Sequence, residues 1–553
     1  MSNWEDTFDV VCVGYGFAGA AAAVAAHDAG AKVLLIEKTA HPGGISICSA
    51  GGVRVSRDAD ATFEYLKETN AGTTPEPLLR QMADEMARIE PFIRDLATVN
   101  DAEVTTTWSP ANYPFTGGDS FGFVSVKSIP GFDAVRDFTW GMGMRGGTRL
   151  FKVMMDSVEK RGIEVRMSCP AERLIHENGL VTGLVAGGKR IRAKGGVVLA
   201  TGGFEGSPEM QMQYWQEKPV YSGAYLANTG DGIRMAQEAG ADLWHMWHYH
   251  GTYGFRHPDP ASHPYGIRLL RLPDWIPGAD GAEAQIQNFF STYNDALMPW
   301  IIVDRFGKRY MNEYPPYLQD TGHRPMATYD ASNQCYSRIP SWVIVDEDGR
   351  ARGPIGFPSY NDPNCTFKWS DDNLAEIEMG ILHQADSVAE LAQAIGADAE
   401  DLQETIDRWN AACRNGDDRD FGRLPATMMP LEKPPFTYGQ LWPICANTQG
   451  GPVHNAAQQV LNPFGEAIPG LYAAGELGSL FGHLYMSGGN LAECFIGGKR
   501  AGEEAAAVGK GVRRDVEDAH HPRPVERHRA AAVAQKARRP CIGSRRRGCV
   551  AAR

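Results

Sequence analysis

Three glycines near the start of the chain, Gly14, Gly16 and Gly19, have the spacing of a phosphate-binding turn, and Glu37 follows them. Gly14 allows the tight turn, Gly16 lets the backbone approach a pyrophosphate, and Gly19 lets the next helix pack close to the strand. The N-terminus of that helix attracts phosphate, and the Glu37 carboxylate can accept hydrogen bonds from ribose hydroxyls. The predicted chemistry is the binding of an adenine dinucleotide; a tight turn without phosphate is the alternative.

Apolar runs flank this turn in the order that a βαβ unit requires. The sequence predicts a strand over residues 9–13, a helix over 20–29 and a second strand over 31–36. The glycines lie between the first strand and the helix, which is the context in which this motif binds a dinucleotide. We therefore predict an α/β protein with a Rossmann-like domain.

Composition and charge exclude several classes of function. The chain has 553 residues, of which 43% are hydrophobic, and a net charge of -13. The negative charge disfavours a nucleic-acid partner, and the absence of about 18 consecutive apolar residues disfavours a membrane span. The N-terminus has neither a basic nor an apolar targeting region, so we predict a cytoplasmic protein.

Metal binding is not indicated by the cysteines or histidines. The ten cysteines are scattered without metal-ligand or redox-dithiol spacing. His245, His248 and His250 lie close together, but Asp242, the nearest carboxylate, would be roughly 20 Å from His248 along an extended strand. We predict no metal site and interpret residues 244–250 as a buried aromatic strand.

The pattern changes along the chain in a way that predicts four segments. Residues 1–290 form the first part of the cofactor domain, residues 291–436 form an inserted α+β cap, and residues 437–508 return to glycine-rich, cofactor-type sequence. Residues 509–553 are rich in Arg, Ala, His and Pro and are predicted to be disordered. Within the first segment, residues 105–145 are interpreted as an irregular loop that carries aromatic residues.

Six spaced motifs together resemble the fumarate reductase/succinate dehydrogenase flavoprotein superfamily, in particular its 3-ketosteroid dehydrogenase branch, and the resemblance covers roughly residues 8–508. These motifs are Gly14–Gly19 with Glu37, Gly43-Gly44 with Gly51-Gly52, Leu199–Phe204, Thr229–Gly232, Gly307–Glu313 and Pro469–Glu476. The resemblance implies FAD, a Rossmann-like flavin domain of the glutathione-reductase type built from both ends of the chain, and an active site beneath the inserted cap.

The glycine pattern and this resemblance together predict the cofactor-binding residues. They are Gly14, Gly16, Phe17, Ala18, Gly19, Glu37, Lys38, Gly43, Gly44, Ile45, Ser46, Ser49, Ala50, Gly51, Gly52, Ala200, Thr201, Gly202, Gly203, Asn228, Gly230, Asp231, Gly475, Glu476, Gly489, Asn490 and Leu491. Succinate dehydrogenases attach FAD through a histidine where this chain has Ile45, so FAD is predicted to be bound non-covalently.

Departures from the family pattern predict the substrate class. The groups that fumarate reductases use for a dicarboxylate are replaced here at residues 314–317, Asn447 and residues 485–489. Burial of a dianion without a bidentate arginine partner would be costly, which disfavours a dicarboxylate.

The resemblance assigns catalytic roles to several of the replacing residues. Tyr317 falls on the catalytic tyrosine, and Tyr485 with the Gly489 amide matches the pair that binds the ketone. Ser487 places the motif closer to the 4(5α)-dehydrogenase type than to the Δ1 type. Tyr113 is a weaker candidate for a tyrosine that supports the base.

The leading hypothesis is an FAD-dependent ketosteroid 1- or 4(5α)-dehydrogenase, or an enzyme that runs the reverse ene reduction, on an apolar cyclic ketone or enone. Hydride would pass to flavin N5 after α-deprotonation by Tyr317. One alternative is a fumarate- or urocanate-type reductase of a small carboxylated alkene, and another is a flavin-binding protein without catalysis. No second dinucleotide motif occurs, so an external electron acceptor or donor is expected.

Overall fold

A computed structural model of the protein describes residues 4–141, 145–270, 298–315 and 322–511. Residues up to Val512 form one unit, and a second unit, Arg513–Arg553, which contains most of the predicted basic tail, lies outside the described residues. Among the described helices, none has the length and hydrophobicity needed to span a lipid bilayer.

The described helices and strands occur in mixed order along the chain. The helices are α1 (Phe17–Asp28), α2 (Ala59–Asn70), α3 (Glu76–Met86), α4 (Ile89–Ala97), α5 (Ala134–Asp137), α6 (Arg145–Lys160), α7 (Pro208–Tyr214), α8 (Asp231–Glu238), α9 (Glu347–Arg350), α10 (Leu374–Met379), α11 (Val388–Ile395), α12 (Ala399–Asn415) and α13 (Gly489–Gly509). The strands are β1 (Asp6–Val13), β2 (Val33–Ile36), β3 (Val53–Ser56), β4 (Glu103–Trp108), β5 (Phe121–Ser128), β6 (Glu164–Arg166), β7 (Ala171–Glu177), β8 (Leu180–Ala186), β9 (Lys189–Leu199), β10 (Tyr221–Ser222), β11 (Leu243–Trp244), β12 (Tyr249–Arg256), β13 (Gly266–Leu269), β14 (Trp300–Val303), β15 (Tyr329–Asp330), β16 (Cys335–Tyr336), β17 (Ser341–Val345), β18 (Gly356–Phe357), β19 (His383–Ala385), β20 (Phe436–Thr448), β21 (Gly451–Pro452), β22 (Gln459–Leu461) and β23 (Ala467–Ala473).

The first sheet joins the two ends of the chain. β1 pairs in parallel with β2 and with β9, and β23 pairs in parallel with β9 on the far side. Val10, Val11 and Cys12 of β1 are fully buried. A central parallel strand is covered on both faces, which explains why this run is continuously apolar rather than alternating. The predicted βαβ unit is confirmed, and so is the α/β, Rossmann-like class.

The alanine-rich sequence of α1 is explained by its contact with α13. A Cβ on Gly498 would lie 2.4 Å from the Ala18 carbonyl oxygen, and one on Gly502 would lie 2.2 Å from the Ala22 carbonyl oxygen. Alanines on one helix and glycines on the other therefore allow the two backbones to approach closely. This contact brings the N-terminal end of α13 to the side of the sheet where α1 begins.

The second sheet includes β14, β17, β18 and β19 of the predicted cap and runs in the order β14-β17-β20-β12-β13-β18, with β10 and β19 also paired to β20. β20 is its long central strand and pairs with both β12 and β17. β12 and β13 precede residue 291, and β20 extends to Thr448, so strands on both sides of the predicted cap limits pair in one sheet. The limits at 291 and 436 stay predictions.

Two sequence-based interpretations of local structure are wrong. Residues 103–128 are not an irregular loop throughout, because β4 and β5 form an antiparallel sheet with β3. Residues 244–250 are not one strand, because His245 has a φ of +54° and the chain turns before β12 begins at Tyr249. Trp247, in this turn, is 52% exposed.

Candidate active site

Backbone contacts fix the turn that follows β1. Gly14 has a φ of +102°, and a Cβ there would lie 2.4 Å from the Ala200 carbonyl oxygen. A Cβ on Gly19 would lie 1.8 Å from the Gly14 carbonyl oxygen. The Phe17 N–H, at the first residue of α1, donates to Ser46 Oγ at 3.0 Å. The turn therefore presents a helix N-terminus, whose free amides and dipole attract an anion.

Glu37 closes the next strand and reaches back to the same turn. Its Oε2 accepts the Tyr15 N–H at 2.9 Å, and its Oε1 accepts the N–H and the hydroxyl of Thr39, both at 2.9 Å. An ionised carboxylate offers about four acceptor sites. Glu37 is thus held in place while it keeps acceptor capacity for a ligand hydroxyl.

A cleft opens between the turn and the end of the sheet, and the space in it, together with the solvent at its mouth, is about 760 Å³. The predicted cofactor residues that line it are Gly14, Gly16, Phe17, Ala18, Glu37, Lys38, Gly44, Ile45, Ser46, Ala200, Thr201, Gly202, Asn228, Asp231 and Glu476. Lining residues that the sequence did not single out are Val13, Tyr15, Ile36, Cys169, Ala171, Tyr225, Met235, Ala474 and Cys494.

The outer side of the cleft is closed by an ion pair between two of the predicted residues. Lys38 Nζ lies 2.6 Å from Asp231 Oδ2 and donates to Thr229 Oγ1 at 2.9 Å. Asp231 is the first residue of α8. This contact holds the start of α8 against the segment that follows β2.

Two carboxylates lie at the inner side of the cleft. Glu476 follows β23 and is 7% exposed, and Glu205 follows β9 and is 1% exposed. Glu476 Oε1 accepts the N–H of Thr448 at 2.9 Å and its hydroxyl at 3.2 Å. Asn228 Nδ2 donates to Glu205 Oε1 at 2.7 Å. Glu205 was not predicted, because its partners come from distant segments.

Several predicted glycines contact protein rather than the cleft. A Cβ on Gly51 would lie 2.2 Å from the backbone of Gly146, and one on Gly52 would lie 3.0 Å from the ring of Phe123. Gly203 is packed against Thr448 and Glu476. The other predicted residues away from the described lining are Gly19, Gly43, Ser49, Ala50, Gly230, Gly475, Gly489, Asn490 and Leu491.

Tyr485 lies at the N-terminal end of α13, in a buried aromatic environment. Its side chain is 6% exposed, and its hydroxyl accepts the Gly488 N–H at 3.1 Å. Its ring packs edge-on to Phe481 and lies 4.1 Å, centroid to centroid, from the ring of His250. The amide predicted to act with Tyr485, that of Gly489, instead donates to the Met486 carbonyl at 2.7 Å. In this structure the Gly488 amide binds the Tyr485 hydroxyl, and the Gly489 amide, which is predicted to bind the ketone, closes a turn with Met486.

A buried arginine that no sequence motif singled out supports this loop. Arg54, in β3, is 1% exposed and donates from Nε to the Ser487 carbonyl at 2.8 Å. Its NH1 donates to the Ser109 carbonyl at 3.2 Å, and its guanidinium stacks 3.8 Å from the Phe123 ring centroid. Arg54 therefore ties the loop before α13 to the β3–β5 sheet. Ser487 contributes its carbonyl to this contact.

Tyr113, another of the predicted tyrosines, lies in an aromatic cluster. The ring of Tyr113 stacks on Phe115, and its N–H donates to the Tyr65 hydroxyl at 3.1 Å. Tyr113 packs against the same hydrophobic cluster that contains Tyr485. Tyr317 lies outside the described residues.

The histidines of residues 245–250 make separate hydrogen bonds. His245 Nδ1 donates to the Ser479 carbonyl at 2.8 Å, and His248 Nδ1 donates to the Phe481 carbonyl at 3.0 Å. His250 Nδ1 lies 2.9 Å from Asn447 Oδ1. Within the described ranges, no group of three His, Cys, Asp or Glu side chains has the arrangement of a metal site.

Comparison with known proteins identifies the ligand of the cleft. The chain matches the FAD binding domain family over residues 9–259 and 297–491. It belongs to this FAD-binding family. It is 26% identical to the 3-oxosteroid 1-dehydrogenase of Mycolicibacterium smegmatis, over 92% of this chain and 98% of that protein. It is 28% identical to the fumarate reductase (cytochrome) of Shewanella frigidimarina, over 92% of this chain and 78% of that protein.

The fold of this FAD-binding chain is also found in a solved structure. The 3-ketosteroid delta1-dehydrogenase from Sterolibacterium denitrificans, crystallised in complex with 1,4-androstadiene-3,17-dione, superposes with a TM-score of 0.73 at 23% identity. The match covers 91% of this chain and 100% of that one. The Rossmann-like FAD domain with a cap is therefore confirmed, and the protein is an FAD-dependent oxidoreductase.

The residues of the cleft fit FAD. The N-terminus of α1 suits the pyrophosphate, and Glu37 has acceptor capacity for the ribose. Among the described residues that line the cleft, Thr201 Oγ1 is a buried polar atom without a hydrogen-bond partner, which is typical of a site that a polar ligand completes. Ile45 lines the FAD cleft with a hydrocarbon side chain, which offers no atom for a covalent link.

Proposed function

We propose that the protein oxidises or reduces a carbon–carbon bond next to a ketone, as a 3-ketosteroid 1- or 4(5α)-dehydrogenase or as the reverse ene-reductase. The observation that carries this proposal is the buried Tyr485 hydroxyl at the N-terminus of α13. A phenol at a helix N-terminus, in an aromatic wall, suits the oxygen of an apolar ketone. The 26% identity to a 3-oxosteroid 1-dehydrogenase supports the same substrate class.

Tyr485 would polarise the ketone. Its hydroxyl accepts the Gly488 N–H, and we propose that it donates its own proton to the ketone oxygen. Negative charge that develops on that oxygen during α-deprotonation is stabilised by this donor and by the positive end of the α13 dipole. The Gly489 N–H can join as a second donor only after its bond to the Met486 carbonyl opens.

Tyr317 is proposed as the base that removes the proton from the α-carbon, and Tyr113 as a supporting phenol. FAD, when bound, supplies the acceptor for the hydride that leaves the β-carbon. In the reverse direction Tyr317 would return the proton to the α-carbon. An external electron acceptor or donor would complete the cycle.

A second candidate, a reductase of a small carboxylated alkene, is favoured by a cationic group beside the same loop. Arg324 donates to the His483 carbonyl, and its NH2 lies 3.2 Å from His248 Nε2. A guanidinium suits a carboxylate partner. The 28% identity to a fumarate reductase supports this alternative.

The test is anaerobic mixing of the oxidised holoenzyme with a panel of 3-ketosteroids, followed by flavin absorbance and product identification. We expect bleaching of the flavin and a new carbon–carbon double bond in the ketosteroid ring. The dithionite-reduced enzyme is mixed in parallel with a 4-ene-3-ketosteroid or a 1,4-diene-3-ketosteroid, and with fumarate. Fast re-oxidation by fumarate, with none by either steroid and no bleaching by the panel, would overturn the proposal in favour of the second candidate.

Substitution of Tyr485 tests its role in the same assay. Tyr485→Phe removes the donor but keeps the ring, so kcat/KM for the ketone is expected to fall by about 10²–10³-fold. Tyr329→Phe is the matched control, because Tyr329 is half exposed in the β15–β16 hairpin and donates to Gln334. Unchanged turnover in Tyr485→Phe would refute the assigned role.

A further inference from the structure

Two buried carboxylates, Glu205 and Glu476, lie close together beside the FAD cleft, and Glu476 lines it. Glu205 and Glu476 follow β9 and β23, which pair in parallel, so the two residues leave the same edge of the sheet. Asn228 Nδ2 lies 2.7 Å from Glu205 Oε1 and 3.5 Å from Glu476 Oε2, so one amide group reaches both side chains. In the described residues neither carboxylate has a salt-bridge partner within 4.0 Å. Ionisation of both would leave two buried negative charges without a cation.

Hydrogen bonding distinguishes the two carboxylates. Glu476 Oε1 accepts two hydrogen bonds from Thr448, which favour the charged form. Glu205 Oε2 is buried and accepts none within the described ranges. Burial, and then the negative charge of Glu476, raise the pKa of Glu205 well above its usual value. The proton therefore belongs on Glu205.

We propose that Glu205 carries a proton that it shares with Glu476, and that loss of this proton weakens the binding of FAD. Glu205 acts through Glu476, which lines the cleft, and is therefore a positioning residue. The proposal concerns FAD retention and does not depend on the identity of the substrate.

Close packing around Glu476 explains how a negative charge on Glu205 would affect the cleft. A Cβ on Gly203 would lie 1.7 Å from Thr448 Oγ1 and 2.6 Å from Glu476 Oε1, so the backbone of Gly203 fills the space on that side of the Glu476 carboxylate. Repulsion from an ionised Glu205 would then move Glu476 toward the cleft that it lines. It would then occupy space and change hydrogen bonds that FAD requires.

Burial raises the pKa of Glu476 itself to about 7, so the pair loses its first proton there and holds the shared proton above that pH. The other titratable groups near the pair do not titrate between pH 6 and pH 9, with one exception. Burial raises the pKa of the neighbouring thiols and of the neighbouring phenol, which keeps Cys48, Cys445, Cys494 and Tyr225 uncharged in this range. Arg268, which faces Cys48 and Cys445, stays positively charged. The exception is Glu493 in α13, whose pKa is raised to about 8 by burial.

The test is the release of FAD from the diluted holoenzyme, followed by flavin fluorescence between pH 6 and pH 9. Above the titration of the shared proton, the FAD dissociation constant is expected to rise about tenfold per pH unit, because one proton is linked to binding. Glu205→Gln should abolish this slope. The glutamine carbonyl still accepts from Asn228, and its amide supplies a permanent donor to Glu476.

Glu493→Gln is the matched control. It removes the other buried carboxylate that titrates in this range, but Glu493 does not line the cleft, so the pH slope of FAD release should persist. Retention of the slope in Glu205→Gln, or its loss in Glu493→Gln, would overturn the proposal.

The protein without substitutions provides a second test, should Glu205→Gln fail to fold. Calorimetric titration of FAD into the full-length apoprotein at pH 8.5, in two buffers of different ionisation enthalpy, should show uptake of about one proton per FAD. A pH-independent dissociation constant together with zero proton uptake would overturn the proposal. Neither measurement needs turnover, so failure here is distinct from failure of the proposed function.

Discussion

Replacement of Glu493 by glutamine is expected to reduce the loss of stability that the protein undergoes as the pH becomes alkaline. Glu493 is 4% exposed; its Oε1 accepts the Leu480 N–H at 2.6 Å, and its Oε2 accepts the Ser479 hydroxyl at 2.8 Å. Burial raises its pKa from 4.5 to about 8. Because the folded-state pKa is raised, this stabilising contribution is fully present below about pH 4.5 and is lost as the pH rises through about 8.

The size of the effect follows from the two pKa values. A shift from 4.5 to about 8 corresponds to about 5 kcal/mol of unfolding free energy in total, of which about 3 kcal/mol is lost between pH 6 and pH 9. The unfolding entropy of a chain of this length is roughly 1 kcal/mol/K. The loss therefore corresponds to a fall of about 3 °C in Tm.

The assay compares Tm at pH 6 and pH 9 for the holoenzyme and for Glu493→Gln at one scan rate. Glutamine keeps both contacts, because its carbonyl accepts from Leu480 and its amide donates to Ser479 Oγ. The fall in Tm should therefore be about 3 °C smaller in the variant. Glu503→Gln is the control on the same helix, since Glu503 is partly exposed and pairs with Lys499 at 2.7 Å. Equal falls in Glu493→Gln and the unsubstituted protein would refute the reasoning.

Two further predictions concern the turn and the loop that frame the cleft. Gly19→Ala would place a Cβ 1.8 Å from the Gly14 carbonyl oxygen, so the flavin-to-protein absorbance ratio of the purified variant should fall. Gly118→Ala is the control and should retain FAD, because the atoms nearest to its Cβ would be 3.5 Å away. Equal absorbance ratios in the two variants would contradict this prediction. Arg54→Met would remove the hydrogen bonds to the Ser487 and Ser109 carbonyls, at a cost of about 1–3 kcal/mol for each carbonyl. Both Tm and kcat should therefore fall. A Tm equal to that of the unsubstituted protein would show that Arg54 does not stabilise this loop.

The parts of the fold that the sequence predicts well are those set by local pattern. The first strand, the glycine turn, α1 and β2 lie within forty consecutive residues, and each has its own signal in residue type and spacing. Glu37 lines the cleft as predicted because its place at the end of β2 is fixed by the same short segment. The resemblance added cofactor-binding residues from 200 to 231 and from 475 onward. No local pattern would have assigned these distant segments to one site.

The features that the sequence did not predict depend on contacts between distant segments. Arg54 is an ordinary arginine in sequence, and its role follows from β3 lying beside Ser487, more than four hundred residues later. Gly51 is among the residues predicted to bind the cofactor, but the backbone of Gly146 occupies the space that its absent side chain leaves. A missing Cβ indicates a close approach without indicating what approaches.

FAD retention and turnover are expected to depend on different parts of the structure, the first on backbone contacts and the second on side chains. The turn at Gly14 and Gly19 holds its shape through main-chain contacts that exclude any Cβ, so a change there should act on FAD retention. Tyr485 and His250 contact each other through their rings, beside the loop that Arg54 supports. Because neither residue lines the cleft as described, we expect Tyr485→Phe to lower turnover while the flavin-to-protein ratio stays constant. Loss of FAD from that variant would mean that substrate and cofactor depend on the same contacts.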